Sequence, residues 1–573
     1  MVKRSRSDAL LHLLVRHPFL SSRQMARITG ITEHAIEQRL VGLRKRGLLE
    51  TVDPKEPTLR IRSLHLPTAQ GLARLAELEG VSPQDVARTA GLSRGRLATL
   101  GVRVGTAYQA RQLLLGLAGI ASLMSSWRCM ARIRTDHGSL VLDGAATFKY
   151  QGRLLQVALE LDAGARATRQ VEKLYQLLEL YPALQLVVVC WSKSSMQHYL
   201  DLIRREALSR QAPLLPAYIA LGQAIRRQGY NASIWYSNYA GCYTRIFQVS
   251  IPPARFVQPW PPPEEGSFAN VLSPSVDRLV HLATQSPPPN IPLWQRLVGL
   301  GFALSPLQKR LLALVASHPL VNEVDLAALS QATPGYVHAA VEKLLEWEIL
   351  VVSSYDELGR RLLKLAPLGI AYLARREGWG RGIKSYARSR GWKLSEDGSL
   401  STDRLEKNLR HTRDVHSLLV KFSRHPRIEI ARWTSEPSTG LCFIHRGRQY
   451  RIQPDASGLL RLAGKELPFI LEWERSTTSI RKLAAKLRQY YHWYRAGQHR
   501  AFHPDVHLLM ITTGRRRVQR IIQVTKRLAQ ELDTDPLPLL VTSYKELATR
   551  GPLAPIWQAA DGSEAVRLVD YAY

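Results

Sequence analysis

An internal repeat constrains this chain more than any other feature, because whatever one copy folds into, the other must fold into as well. The segment Arg16–Phe19 (Arg-His-Pro-Phe) matches Ser317–Leu320 (Ser-His-Pro-Leu), and Gly47–Glu50 matches Glu348–Val351. From His17 to Gly47 and from His318 to Glu348 the distance is 30 residues, so the copies align without a gap. Beyond a strand-like stretch, Leu64–Gly71 resembles Leu363–Gly369, and each leads into an apolar helical run. Within each block of about 75 residues, apolar positions fall at helical spacing in three short segments and then alternate as in strands between turn residues. Helix, helix, helix and hairpin in that order predict a winged helix-turn-helix. In the first copy Ser21 or Ser22 can cap the second helix, Thr29–Ile31 makes the turn, and Thr32 can cap a third helix reaching Arg46. Asn322, Ala332–Gly335 and Tyr336 onward take the corresponding places in the second.

A chain of 573 residues with 45% apolar content can bury several cores, about three to four by length. The expected domains are a first winged helix over 1–80, an α/β domain over 100–250, a proline-rich linker over 251–300, a second winged helix over 301–376, a basic linker over 377–404 and a second α/β domain over 405–573. The fold class is therefore multidomain α/β and α+β. Prolines crowd 251–253, 259–263 and 286–289 and predict an extended spacer. Lysine and arginine number 79 against 47 acids, a net charge of +32, which calls for a polyanionic partner. A membrane is the wrong polyanion: the longest apolar runs, Leu113–Met124 and Leu184–Trp191, fall short of the ~20 residues of a span, and no signal peptide is legible. Four scattered cysteines, Cys129, Cys190, Cys242 and Cys442, show no zinc-ligand spacing and fit a reducing, bacterial cytoplasm.

A helix in a major groove needs polar side chains at its start and cations along its flanks. In the first copy Glu33, His34, Glu37 and Gln38 could reach base edges, while Arg39, Arg44, Lys45, Arg46 and the wing residues Arg60 and Arg62 could hold phosphates. The second copy offers Lys343 against Glu342, Glu346 and Glu348, with Arg360, Arg361 and Lys364 in its wing, and makes the poorer groove reader. Farther on, Arg515, Arg516 and Arg517 open a basic helix face suited to phosphates.

Acids recur behind each winged helix with fixed spacing. Asp143 precedes Glu160 by 17 residues and Glu160 precedes Asp162 by two; Asp455, Glu472 and Glu474 repeat both intervals. Glu160 and Asp162, like Glu472 and Glu474, end a strand at positions that share one face. A helix follows with a lysine and a tyrosine eight apart, Lys173 and Tyr181 or Lys486 and Tyr494, and upstream lie Asp136 and Glu436. Acids at the ends of neighbouring strands can hold Mg²⁺ through oxygen ligands, here Asp136, Asp143 and Glu160 or Glu436, Asp455 and Glu472, and that is the logic of metal-assisted phosphodiester hydrolysis. The arrangement resembles the PD-(D/E)XK nuclease core, with Pro454 and Asp455 as its first two letters and Asp162 or Glu474 standing where that core has lysine. Lys173 and Lys486 could supply the missing cation from the next helix. His411, Asp414 and His416 suggest a metal cluster, but His411 and His416 are five apart and do not share a helix face, so the three read as helix surface or core. No phosphate-binding lysine loop is present, so no nucleotide cofactor is expected.

The order of Asn408–Thr412, Trp433–Glu436, Pro454–Asp455, Glu472–Glu474, Lys486 to Tyr494 and Thr542–Trp557 resembles the replication-relaxation family over roughly 305–560, with a looser match in the first half through Glu160 and Asp162. That resemblance implies a protein of a bacterial plasmid or mobile element that binds double-stranded DNA at a specific site alongside other replication proteins. Two functional classes follow. One is a Mg²⁺-dependent nicking endonuclease using Asp143, Glu160, Asp162 and Lys173 or Asp455, Glu472, Glu474 and Lys486. The other is a non-enzymatic initiator or transcriptional regulator with degenerate nuclease-like domains.

Overall fold

Three backbone positions need the left-handed region in each half of the chain, and they recur in step. Phe19 and Leu320 have φ of 64° and 67°, Gly30 and Gln331 70° and 54°, Gly47 and Glu348 68° and 55°. Each marks a place where a helix has ended and the chain must turn sharply. The structure, a computed structural model, describes residues 5–55, 63–121, 123–135, 138–151, 153–161, 171, 175, 177, 181, 184–212, 214, 216–238, 240–248, 260–261, 264, 267–286, 290–379, 382–475, 479–501, 505–561 and 564–572. It divides into two units, Met1–Pro306 with Ala371–Gly382, and Leu307–Ile370 with Ile383–Tyr573.

Each unit begins with three helices and a two-stranded antiparallel ribbon. In the first these are Arg6–Arg16, Ser22–Thr29 and Glu33–Lys45, then Leu49–Val52 paired with Leu64–Pro67. In the second they are Pro306–Ser317, Glu323–Ser330 and Pro334–Glu346, then Leu350–Tyr355 paired with Arg361–Leu365. The caps are local chemistry: Ser21 closes a capping box with Gln24, Thr32 accepts from the Ala35 amide, and Asn322 accepts from the Asp325 amide. Behind the ribbon, the same tight contact recurs: a Cβ on Gly71 would come within 2.1 Å of the Leu48 carbonyl oxygen, and one on Gly369 within 2.3 Å of that of Ile349, so only glycine lets helix and ribbon meet there.

The remainder of each unit is a mixed sheet covered by helices. Seven strands run in chain order in the first and six in the second. Pair directions match: antiparallel, antiparallel, parallel, parallel, antiparallel across Leu123–Thr135, Gly138–Tyr150, Arg153–Leu161, Leu184–Cys190, Ala217–Leu221 and Trp235–Ser237. The same series crosses Ile428–Ser435, Ala456–Leu462, Lys465–Glu474, His507–Thr512, Leu539–Ser543 and Gln558–Ala559. Parallel strands need a crossover helix and are buried on both faces, which is why Leu184–Cys190 is buried throughout. In the second unit Leu409–Ser423 covers one face, and Ile480–Arg495 with Arg515–Glu531 covers the other.

The stretch expected to be an extended spacer is instead packed where it is described. Trp260 is buried and donates from Nε1 to the Val157 carbonyl at 3.0 Å. Helices Val276–Ala283 and Leu293–Ala303 place Val276, Leu279, Val298 and Phe302 in the first unit's core. Apolar residues at helical spacing outweighed the prolines, none of which falls inside either helix. The stretch expected as a basic linker also contains structure, the helix Ile383–Ser389 and a buried Trp392 bonded to Ser438. Among the described residues no single helix is long and apolar enough to cross a membrane.

Candidate functional site

The acids at the sheet centre occupy the same place in both units. Register sets Asp455 opposite Glu472, one step beyond the Ala456–Leu471 pair, and Asp143 opposite Glu160, one step beyond Gly144–Leu159. In each case the aspartate turns back onto its neighbour's backbone: Oδ2 of Asp455 accepts from the Trp473 amide at 2.6 Å, and Oδ2 of Asp143 from the Leu161 amide at 2.8 Å.

Around Asp455 the second unit gathers titratable groups. His411, on the first turn of Leu409–Ser423, meets Oδ1 of Asp455 at 2.8 Å. Glu472 receives the Lys486 ammonium on Oε2 and the Tyr490 hydroxyl on Oε1, the latter at 2.5 Å. Lys486 and Tyr490 are one helical turn apart and so reach the same carboxylate. Glu474 is held by Arg517 at 3.2 Å. Glu436 takes Arg404 at 2.7 Å and lines a small pocket with His411, His416, Ser435 and Asp455.

Burial governs the electrostatics of this cluster. It pushes Glu472 up to about 8, against the pull of Lys486. Burial works against the charge on Lys486 too, but Glu472 and Asp455 outweigh it and raise its pKa. Asp455 is also disfavoured as an anion by burial, yet the His411 bond and the nearby Lys486 bring it below the ordinary carboxylate value, while Asp455 raises His411 despite that group's own burial. Glu436 is raised by burial.

The first unit closes the same place. Arg103, at the start of Val104–Ala118, reaches Oδ1 of Asp143 at 2.5 Å, and the two side chains are only 3% and 1% exposed. Aligning Lys173 with Lys486 sets Leu177, fully buried, where the second unit has Tyr490. Asp136, Asp162 and Lys173 lie outside the described residues.

Sequence reasoning missed His411, Arg103 and Tyr490. His411 had been set aside as helix surface or core, which fits the buried His416 but not His411 itself. The lysine–tyrosine pair eight apart pointed to the wrong ring: the Tyr494 hydroxyl bonds the Val506 carbonyl, and Tyr490 is the one that reaches Glu472.

A divalent ion needs several oxygens converging with room between them. Here each oxygen of Asp455 and Glu472 already accepts a hydrogen bond from protein, and among the described residues no three acids, histidines or cysteines converge as a metal-ligand set. As placed, these residues do not fit Mg²⁺; the ammonium of Lys486 stands where its charge would be needed.

On the DNA-contact candidates, His34, Gln38, Arg44, Lys45 and Arg46 are exposed along Glu33–Lys45, with His34 and Gln38 2.9 Å apart; Arg39 is half-buried. Arg60 and Arg62 lie outside the described residues. In the second unit Lys343 is exposed, but Arg361 is bonded to both Glu323 and Glu342 at 2.5 Å and Arg360 to Asp356 at 3.0 Å. Arg515 and Arg516 are exposed on the first turn of Arg515–Glu531, which carries no acid there; Arg517 is the one turned inward to Glu474.

Residues 11–190 match the replication-relaxation family. The match covers less than half of the chain and falls on the first half, where the motifs had suggested only the looser resemblance. No curated protein matches. Among solved structures, protein VC1899 from Vibrio cholerae is 11% identical, over 68% of this chain and 80% of that one, with a TM-score of 0.14, an agreement too low to carry any argument.

Proposed function

We propose that this chain is a double-stranded-DNA-binding protein acting in the replication or relaxation of a bacterial plasmid or mobile element, and that each unit is a winged helix followed by a PD-(D/E)XK-like α/β domain arisen by tandem duplication. The replication-relaxation match over 11–190 carries the functional class. The net charge of +32, the exposed cations of Glu33–Lys45 and the arginines opening Arg515–Glu531 support a duplex as the partner. Cations at a helix start oppose the helix dipole, a cost that an arriving phosphate would reverse. The recurring left-handed positions and pair directions support the duplication.

The test is fluorescence anisotropy of the full chain on duplex DNA. Binding should weaken steeply with salt, and Arg44→Ala with Lys45→Ala should flatten the slope of log K on log salt by about one to two units. Salt-independent or absent binding overturns the proposal.

One observation favours a second reading, nuclease activity confined to the second unit. Lys486, Glu472 and Asp455 converge there, whereas Arg103 fills the first unit's counterpart. As these residues do not fit Mg²⁺, no step is assigned to the ion, and the cation within reach of the acids is Lys486. Incubated with supercoiled plasmid in Mg²⁺ buffer, the parent and Asp143→Asn should then nick equally and Asp455→Asn should fall at least about 100-fold. No nicking by the parent leaves the DNA-binding reading alone.

A further inference from the structure

Among the described residues, one element of the second unit has no counterpart in the first. In the first unit Thr135 pairs directly with Gly138, so the two outer strands form a plain hairpin. In the second, a separate antiparallel ribbon, Leu441–His445 with Arg448–Ile452, is inserted between the strands Ile428–Ser435 and Ala456–Leu462. Its two-residue turn, Arg446 and Gly447, has φ of 49° and 73°, the geometry that continues the twist of both strands.

The ribbon is anchored on one face and bare on the other. Phe443 and Ile452 are buried against Leu483 and Leu487 of the helix Ile480–Arg495, which also bears Lys486. Phe443 stacks on Tyr450 at 5.3 Å and His445 on His492 at 4.7 Å. At the foot, Thr439 donates to the Pro454 carbonyl at 2.5 Å, one residue before Asp455, so the ribbon rises beside the acid cluster. The opposite face presents Cys442, Ile444, Gln449 and Arg451 to solvent, and the turn adds Arg446 and Arg448.

Three features fix what this face suits. Leu441–Ile452 contains no acid, and no ion pair with a described residue engages Arg446, Arg448 or Arg451. The local field is positive: besides burial, Arg446 and Arg495 lower the pKa of His445, and His445, Arg488, Arg495 and Arg446 lower that of His492. Near the turn Ile444 is 64% exposed, an aliphatic side chain left mostly open to solvent among cations. A two-stranded ribbon fits a DNA groove, cations on it meet phosphates, and an exposed apolar side chain near its end can press against base pairs. An acidic protein would satisfy the arginines but gives no role to Ile444.

We propose that Leu441–Ile452 is a DNA-contacting arm, in which Arg446, Arg448 and Arg451 engage the phosphates of a duplex and Ile444 enters its groove. The proposal rests on the DNA-binding reading above and names a surface which that reading does not use.

The experiment uses the full chain and a fluorescein-labelled duplex of generic sequence, titrated between about 50 and 200 mM salt. Replacing Arg446, Arg448 and Arg451 together with alanine should weaken binding about tenfold or more and flatten the log K against log salt slope by about two to three units, and replacing them with lysine should restore most of the slope. Ile444→Ala should leave the slope intact and reduce the bend of a doubly labelled duplex read by energy transfer. A parent that binds no duplex removes the DNA reading and this proposal with it. A parent that binds and an alanine variant that matches it in affinity and slope remove this proposal alone, as does a lysine variant no better than the alanine one.

Discussion

The two acid clusters share a strand register and a backbone hydrogen bond and differ in what meets the second oxygen of the aspartate. In the first unit it is Arg103, a guanidinium sealed from solvent; in the second it is His411, whose side chain is 30% exposed on a pocket wall. Both partners come from the start of the helix preceding the sheet, a turn apart in that helix's frame. The difference teaches why acids can recur without implying chemistry. Asp143 and Asp455 each tie one strand to the amide of its neighbour, so the fold has a use for an aspartate there whether or not a substrate ever arrives.

The largest effect that would break this contrast is Arg103→Met. It leaves Asp143 as an uncompensated buried carboxylate and should cost about 3–5 kcal/mol, read as a fall in the urea midpoint. Adding Asp143→Leu should recover only part of that loss: it removes the unpaired carboxylate but leaves the Leu161 amide without its acceptor, at a cost of about 1–3 kcal/mol. His411→Gln should cost only about 1–2 kcal/mol, because Asp455 keeps its amide and gains water through the pocket. Equal losses from Arg103→Met and His411→Gln would mean that the two clusters are not differently built.

Much of this was legible in the sequence, for a physical reason. The element order follows from periodicity, and the spacing predicts acids on neighbouring strands: the structure sets Asp143 opposite Glu160 and Asp455 opposite Glu472. What was not legible depends on which side chains of a different element reach across. Arg103 and His411 are not at aligned positions, so no comparison of the copies could pair them with the aspartates. Tyr490 was hidden by a better-spaced tyrosine eight residues from Lys486. The proline-rich segment misled because composition favoured a spacer, while Trp260, Val276 and Leu279 had a core to enter.

A middle-sized effect sharpens the contrast through pH. His411 has a raised pKa in the fold, so its contact stabilises fully below its ordinary 6.5 and fades as pH climbs through the raised value. Asp455 is lowered, so its share is present above its ordinary 3.8 and lost only in strong acid. Glu472 acts in the same direction as His411: burial raises its pKa from an ordinary 4.5 to about 8, so its contribution also falls as pH rises over that interval. Both shifts have the same sign, so the second unit should weaken as pH rises from about 6 to about 9, read as a falling urea midpoint. His411→Gln, neutral at every pH, should begin weaker at pH 6 and lose less by pH 9. A parent and variant with parallel pH profiles would remove the titration from the comparison.

The smallest effect concerns the front of each unit, where the same asymmetry takes another form. Glu33–Lys45 shows its cations to solvent, whereas Glu323 and Glu342 of the second unit occupy Arg361 of their own ribbon. These carboxylates raise Arg361 beyond the opposing pull of burial, so its charge is held inside the unit and is not offered to a phosphate. Glu342→Gln should change stability by no more than about 0.2–1 kcal/mol, since the residue is half exposed and Glu323 remains. Duplex affinity should rise only about twofold, because one carboxylate still holds the guanidinium. A gain of tenfold or more would show that the second ribbon is a reader masked by its own acid, and the two units would then differ in how far each is neutralised and not in whether each can bind.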